Sequence, residues 1–174
     1  DKGSGFPLAS KYIAAYNTIN NDVHEIMQMD DGFYRIEKDI EKSMNDGFGL
    51  SYPSITHFDS VYNHEVKDTI GKLGVQVGHN WIRYKGTTPI SELLMNIKYV
   101  MVREDTYQSY TKVKEKEFVN YYQNPYAVSM GFMVKDTLNE DFQVENPIMF
   151  QQQVLNQMWG KEDINYFKPI TPYT

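Results

Sequence analysis

The chain has 174 residues, of which 41% are apolar, and this suits a single domain with a substantial core. Seventeen basic and 23 acidic residues give a net charge of −6, which argues against a nucleic-acid binder because phosphate contacts need a basic face. The absence of cysteine excludes disulfides and cysteine-based zinc sites. No apolar run approaches the roughly 18 residues needed to cross a bilayer.

The N-terminal region, residues 1–31, is predicted to form a helix. Apolar residues recur there at steps of three and four, which indicates an amphipathic helix over residues 8–29 with Ser10 near its start. Gly32 can take the left-handed cap conformation that ends such a helix.

Residues 33–37 predict the first strand, with Tyr34 and Ile36 on one face and Arg35 on the other. The planar guanidinium of Arg35 could bind a carboxylate or phosphate group of a ligand. A cross-strand ion pair or an edge charge is the structural alternative.

Residues 43–63 are polar, glycine-bearing and aromatic, with a turn signal at Asn45-Asp46-Gly47. A long irregular stretch inside a domain is usually functional or poorly ordered. We expect its aromatic side chains to pack down onto the domain: Phe48, Tyr52, Phe58 and Tyr62. By form alone, this loop is the best candidate for a binding site.

The middle of the chain predicts four short elements: a helix over residues 65–73 and strands over residues 75–77, 81–84 and 99–102. Between the last two strands, Thr88 followed by Pro89 is typical of a helix start, with Thr88 as the N-cap.

Residues 107–113 predict a further strand. The alternating lysines at its end and directly after it, Lys112, Lys114 and Lys116, are typical of a solvated or edge-strand face. Residues 117–134 predict a strand, a turn at Asn124-Pro125 and a second strand, because apolar side chains alternate from Val128 to Val134.

Asn146-Pro147 predicts the start of a last helix, which ends at Gly160. Residues 161–174 are interpreted as a segment that leaves the domain. Because helices and strands are interspersed, the fold class is predicted as α+β, a single domain with a mixed sheet and helices packed on it.

Catalytic and metal-binding patterns are weak. His57 and His64 lie near carboxylates, but their spacing matches no established zinc pattern. Ser60 lies between these histidines, and proximity in sequence does not make a catalytic triad. We therefore assign no catalytic residue, metal or cofactor.

Several segments, in the same order, resemble the YfhO-like bacterial membrane proteins. The matching pieces cover roughly residues 30–160: residues 33–37, Asn45-Asp46, residues 60–63, Leu73-Gly74, residues 93–100, residues 122–132 and Asn146-Pro147. The chain departs from that family's pattern at Asn96, where the family tends to have glycine, so we expect no glycine-dependent turn there.

The resemblance implies a soluble extracytoplasmic domain, residues 1–174, excised from a polytopic membrane protein. YfhO-like proteins are similar to multi-spanning glycosyltransferases that use polyprenyl-phosphate sugars, and they are linked to teichoic acid glycosylation at the cell surface. The implied partners are the transmembrane part of the same polypeptide and a cell-envelope glycopolymer acceptor. The candidate binding residues are Arg35, Asn45, Asp46, Tyr52, Ser60, Tyr62 and Asn63.

Two alternatives stay open. The chain could be a structural or protein-interaction domain of a membrane protein, without any ligand. It could also be a free-standing hydrolase or metal enzyme. In the leading interpretation the fragment alone has no transferase activity, because catalytic loops of that class of enzyme lie beside membrane helices.

Overall fold

Two sheets organise the chain. The computed structural model describes residues 9–40, 42–103, 109–116, 119–129, 131–136, 138, 142, 144, 146–161 and 164–168. The described elements are α1 (Ala9–Met29), β1 (Arg35–Lys38), α2 (Asp46–Gly49), β2 (His57–Phe58), α3 (His64–Lys72), β3 (Gln76–Val77), β4 (Trp81–Arg83), α4 (Pro89–Leu94), β5 (Ile97–Val102), β6 (Thr111–Lys116), β7 (Val119–Gln123) and α5 (Pro147–Trp159).

The larger sheet is mixed and has the strand order β1-β5-β7-β6. Its β1 strand runs parallel to β5, whereas β5 and β6 both run antiparallel to β7. The smaller sheet is antiparallel, in the order β2-β4-β3. This arrangement confirms the predicted α+β class with a mixed sheet.

The amphipathic helix α1 covers one face of the larger sheet, and its bounds confirm the helix predicted over residues 8–29. The helix buries a stripe spaced at three and four residues, as the periodicity requires. The stripe consists of Ile19, Val23 and Ile26. It packs on inward side chains of β1, β5 and β7: Ile36, Tyr99, Met101 and Tyr121.

The opposite face of the larger sheet packs on the smaller sheet and on the helices α3, α4 and α5. Successive strand residues point to opposite faces, so β5 and β7 supply both cores. The second core includes Ile55, Leu73, Ile82, Tyr84, Ile97, Val100, Val102, Tyr122 and Phe150. The chain therefore has a helix layer, a central sheet and a mixed layer.

The caps predicted at Thr88, Asn146 and Gly160 are confirmed, whereas Gly32, which follows α1, does not adopt the left-handed conformation expected of it. Thr88 accepts a hydrogen bond from the backbone N–H of Ser91 at 3.2 Å, with Pro89 as the first helical residue. Asn146 caps α5 in the same way, through the backbone N–H groups of Ile148 and Met149. Gly160 ends α5 with φ 59°, in the left-handed region that glycine adopts at low cost.

The lysine-rich strand β6 is an outer strand of the larger sheet, which confirms its interpretation as an edge. It begins at Thr111 rather than at residue 107, and residues 104–108 lie outside the described part of the chain. Its lysines also hold α1, since Lys114 pairs with Glu25 and Lys116 with both Asp22 and Glu25.

The prediction of a second strand after Asn124-Pro125 is wrong at the described positions, residues 128, 129 and 131–134, which are irregular. The first strand and the turn do form, with Asn124 Oδ1 accepting from the Tyr126 N–H at 2.9 Å. Strand β7 already lies between β5 and β6. A strand turning back from β7 would therefore find both edges of β7 occupied, and the alternating pattern does not lead to pairing with it.

The expectation that no glycine-dependent turn lies at Asn96 is also wrong. Asn96 has φ 52°, so the backbone adopts the left-handed conformation directly after the C-cap of α4. Asparagine tolerates this conformation better than most residues. Here its side-chain Nδ2 donates to the carbonyl of Phe33 at 2.8 Å and its own carbonyl accepts from the Arg35 N–H at 2.8 Å. This turn sets the start of β1 beside β5.

Candidate functional site

Most of the predicted binding loop, residues 43–63, has no regular secondary structure. It contains the one-turn helix α2 and the short strand β2. Strand β2 pairs with β4, which places His57 opposite Ile82 and Phe58 opposite Trp81. The loop is thus part of the layer that covers the larger sheet.

Glu37 fixes the segment between α2 and β2. Its side chain is 1% exposed. Oε1 accepts from Ser54 Oγ at 2.8 Å and from the N–H groups of Ile55 and Thr56 at 2.5 and 3.2 Å. Oε2 accepts from Thr56 Oγ1 at 2.9 Å. All four partners donate, which suits the ionised carboxylate, although burial raises the pKa of Glu37 above its ordinary value.

A buried ion pair fixes α2 itself. Lys38 Nζ binds Asp46 Oδ2 and also donates to the Ile40 carbonyl at 2.8 Å. The side chains of the pair are 5% and 4% exposed. The carboxylate of Asp46 additionally accepts from the N–H groups of Lys42 and Ser43, each at 3.0 Å. Asp46 therefore has a structural role and lies away from the surface.

This segment carries a group of side chains that we call the aromatic surface. Phe48, His57 and Tyr62 contact one another, and the exposed side chains of Phe58 and Val61 are their neighbours in the sequence. The His57 and Tyr62 rings stack with centroids 4.8 Å apart, and Phe48 meets His57 edge-on at 6.2 Å. Phe48 is 74% exposed and Val61 is 85% exposed. We expected Phe48 and Phe58 to pack down, and that expectation is wrong for both.

Hydrogen bonds orient the rings of this surface. His57 Nδ1 lies 3.0 Å from the Ile55 carbonyl and 3.2 Å from the Tyr62 hydroxyl. Nδ1 donates to the carbonyl when it carries the proton, and it accepts from the hydroxyl when it does not. Burial, and secondarily the charge of Asp59, raises the pKa of Tyr62 to about 12, so its hydroxyl is neutral at pH 7. The Glu37 contacts, which hold Ile55, also position His57.

Polar candidates surround the rings. Asn45 Oδ1 accepts from the Phe58 N–H at 2.7 Å, which joins α2 to β2. Ser60 is exposed next to this strand. Asn63 caps α3 by accepting from the Val66 N–H at 3.1 Å. The structure therefore brings Asn45, Ser60, Tyr62 and Asn63 into one region of the surface.

The other sequence candidates lie elsewhere. Tyr52 is 6% exposed and belongs to the core beneath α1. Arg35 is half-buried; its Nη1 donates to the Met95 carbonyl at 2.6 Å and its guanidinium lies 6.0 Å from the Phe33 ring. These contacts are local and structural, and they place Arg35 outside the aromatic surface.

Sequence reasoning missed His57, Phe48, Phe58 and Val61 as surface contributors. One signal was available for Phe48, because glycines flank it on both sides and leave its ring little to pack against. Nothing in the local pattern distinguishes Phe58 from a buried strand residue.

The arrangement offers groups that could bind a ligand. Within the described part of the chain, no group of three histidine, cysteine or acidic side chains could hold a metal ion. The aromatic surface instead offers flat apolar faces with hydroxyl and amide groups at their edges, a combination that fits ligands with both apolar and hydrogen-bonding sides.

A protein-family model described as bacterial membrane protein YfhO matches residues 1–174, the whole chain. No curated protein and no solved structure matches it. Among the helices in the described ranges, none has the length and apolar character needed to span a membrane.

Proposed function

Since the chain belongs to the YfhO family of bacterial membrane proteins, we propose that it is an extracytoplasmic part of a membrane glycosyltransferase that binds the acceptor polymer. The acceptor class is a cell-envelope glycopolymer such as a teichoic acid. In this proposal the chain holds the polymer, and groups elsewhere in the same polypeptide carry out the sugar transfer.

One observation carries the proposal: two large apolar side chains of a well-fixed layer point into solvent. Phe48 and Phe58 are 74% and 44% exposed, although the segment that bears them is tied down by Glu37 and Asn45. A fixed, exposed aromatic side chain can stack on the C–H face of a sugar ring without losing much conformational freedom.

The polar neighbours fit the same ligand class. The exposed hydroxyl of Ser60 and the neutral hydroxyl of Tyr62 can hydrogen-bond sugar hydroxyl groups. The amide of Asn45 adds a donor pair beside Phe58, because its oxygen already accepts a backbone N–H. In this proposal these groups set the orientation of the ring that stacks on Phe48.

Replacing Phe48 by alanine should weaken binding of a glycosylated glycerol-phosphate oligomer by about five- to tenfold, since an aromatic contact contributes about 1 kcal/mol. Isothermal titration calorimetry measures this change. The fold should persist because Phe48 is largely exposed.

The matched control is Phe33→Ala, which removes a 50% exposed ring next to Arg35 and away from the aromatic surface. It should bind as the unmodified chain does. Equal affinities for all three proteins, or equal losses in both variants, would contradict the aromatic surface as the binding site, and no binding by the unmodified chain would favour a structural domain without a ligand.

A further inference from the structure

The N-terminal helix α1 contacts the short helix that carries Phe48. The hydroxyl of Tyr16 donates to the carbonyl of Gly49, which lies 33 positions later in the chain. Gly49 is the last residue of α2 and directly follows Phe48. The half-buried ring of Tyr16 also packs on the core beneath α1. Tyr16 therefore contacts both this core and the helix of the aromatic surface.

The close approach of Tyr16 to α2 requires the glycine. A Cβ atom at position 49 would lie 2.7 Å from the Tyr16 hydroxyl oxygen, which is too close for two unbonded atoms. It would lie 3.6 and 3.7 Å from Cζ and Cε2 of the same ring, which is ordinary van der Waals contact. The backbone of Gly49 lies outside the left-handed region and would accept alanine. The Tyr16 hydroxyl alone thus excludes a side chain at position 49.

Phe48 lies between two contacts that hold α2. At the start of this helix, Asp46 pairs with a lysine of β1. At its end, Gly49 accepts the hydrogen bond from α1, and Leu50 after it is buried in the core beneath α1. Because α2 has only four residues, a shift of its end displaces the ring of Phe48.

Tyr16 lies where α1 passes from exposed to buried. The side chains of residues 9–14 are all exposed, whereas the buried stripe begins at Ile19. The ring of Tyr12, in the exposed half, stacks on the ring of Tyr16 with centroids 6.1 Å apart. Ion pairs with β6 hold the buried half on the larger sheet. A displacement of α1 would reach α2 directly through the contact of Tyr16 with Gly49.

We propose that α1 and the aromatic surface are coupled, with Tyr16 as the positioning residue that acts on Phe48 through Gly49. The ring of Phe48 meets His57 edge-on at 6.2 Å, and His57 stacks on Tyr62 at 4.8 Å. A change in α2 therefore alters the surroundings of both rings. The meaning of this coupling for polymer binding rests on the function proposed above, but the coupling itself is measured without a ligand.

A double-mutant cycle between positions 16 and 49 tests the coupling. Gly49→Ala forces the Tyr16 hydroxyl away from α2. The ring-proton NMR signals of His57 and Tyr62 should therefore shift, and the urea midpoint should fall. In the double variant, Tyr16→Phe with Gly49→Ala, the obstructing oxygen is absent. Its ring signals should match those of Tyr16→Phe, and its midpoint should be at least as high, because alanine forms helix better than glycine.

Tyr16→Phe alone retains the ring and removes only the hydroxyl, so it should fold and still shift the His57 and Tyr62 signals. The matched control is Tyr12→Phe, the same change one turn earlier on α1. The hydroxyl of Tyr12 has no hydrogen-bond partner among the described residues. This variant should leave the ring signals of the aromatic surface in place.

Titration with the glycosylated glycerol-phosphate oligomer measures the consequence for binding. Gly49→Ala should weaken binding by at least about fivefold, the lower end of the range for coupled sites. The double variant should bind as Tyr16→Phe does. If the unmodified chain does not bind the oligomer, the proposed function fails, whereas the coupling is still decided by the ring signals.

The coupling is overturned if Gly49→Ala leaves the His57 and Tyr62 signals in place, or if the double variant shifts them as far as Gly49→Ala does. Equal spectra of Tyr16→Phe and Tyr12→Phe would overturn it too. If Gly49→Ala does not fold, we expect the double variant to recover the folded spectrum, and a double variant that also stays unfolded contradicts the role of the Tyr16 hydroxyl.

Discussion

Glu37→Ala should destabilise the chain by about 3–5 kcal/mol, because it leaves buried donors without an acceptor and opens a cavity in the core. The four hydrogen bonds of Glu37 join β1 to residues 54–56, and its side chain is 1% exposed. Urea unfolding followed by circular dichroism measures the loss. Glu37→Gln should lose less, about 1–2 kcal/mol, since its amide oxygen still accepts from the backbone.

The control is Glu115→Ala. Glu115 also lies on a strand, but its side chain is 70% exposed and pairs with Lys112 at 3.3 Å on the surface. Exposed pairs contribute only about 0–1 kcal/mol, so this variant should unfold close to the parent midpoint. A Glu37→Ala variant as stable as Glu115→Ala would refute the role of Glu37 as the anchor of the aromatic surface.

The second large effect is expected for Asp46→Ala. Removal of the carboxylate leaves the Lys38 ammonium buried without a charged partner, which costs about 3–5 kcal/mol. The N–H groups of Lys42 and Ser43 lose their acceptor as well. The free energy of unfolding from urea titration should fall accordingly.

The double variant Lys38→Met with Asp46→Ala separates charge burial from other losses. It removes the unpaired ammonium, so much of the stability lost in Asp46→Ala should return. If Asp46→Ala unfolds at the parent midpoint, the Lys38–Asp46 pair does not stabilise the fold, and Asp46 becomes a candidate ligand contact again.

The periodic parts of the fold could be predicted from the sequence. The stripe of α1, the cap at Thr88-Pro89 and the cap at Asn146-Pro147 are local signals, and the structure confirms each of them. Such signals suffice because capping and amphipathic spacing act within a few residues of the chain.

The elements that failed depend on distant partners. The alternating residues 128–134 carry a strand pattern, but β5 and β6 occupy both edges of β7. Asn96 adopts a left-handed conformation because its side chain reaches the Phe33 carbonyl, 63 positions earlier. Neither sheet order nor this contact can be read from a local window.

The candidate site was predicted in part for the same reason. The region around Asn45, Ser60, Tyr62 and Asn63 was found from its irregular composition. The burial of Asp46 and Tyr52 depends on Lys38 and on α1, which the loop sequence does not indicate. The exposure of Phe48 and Phe58 likewise follows from the docking of α2 and β2.

Binding of the acceptor polymer at the aromatic surface is tested most directly by NMR. The backbone amide signals of the unmodified chain are recorded while a teichoic-acid fragment is added. We expect concentration-dependent shifts at Asn45, Phe48 and residues 57–62. Residues 97–102 of the central strand β5 should stay unchanged. Unchanged signals around the aromatic surface at a high fragment concentration would show that the fragment does not bind there, and would favour a structural domain without a ligand.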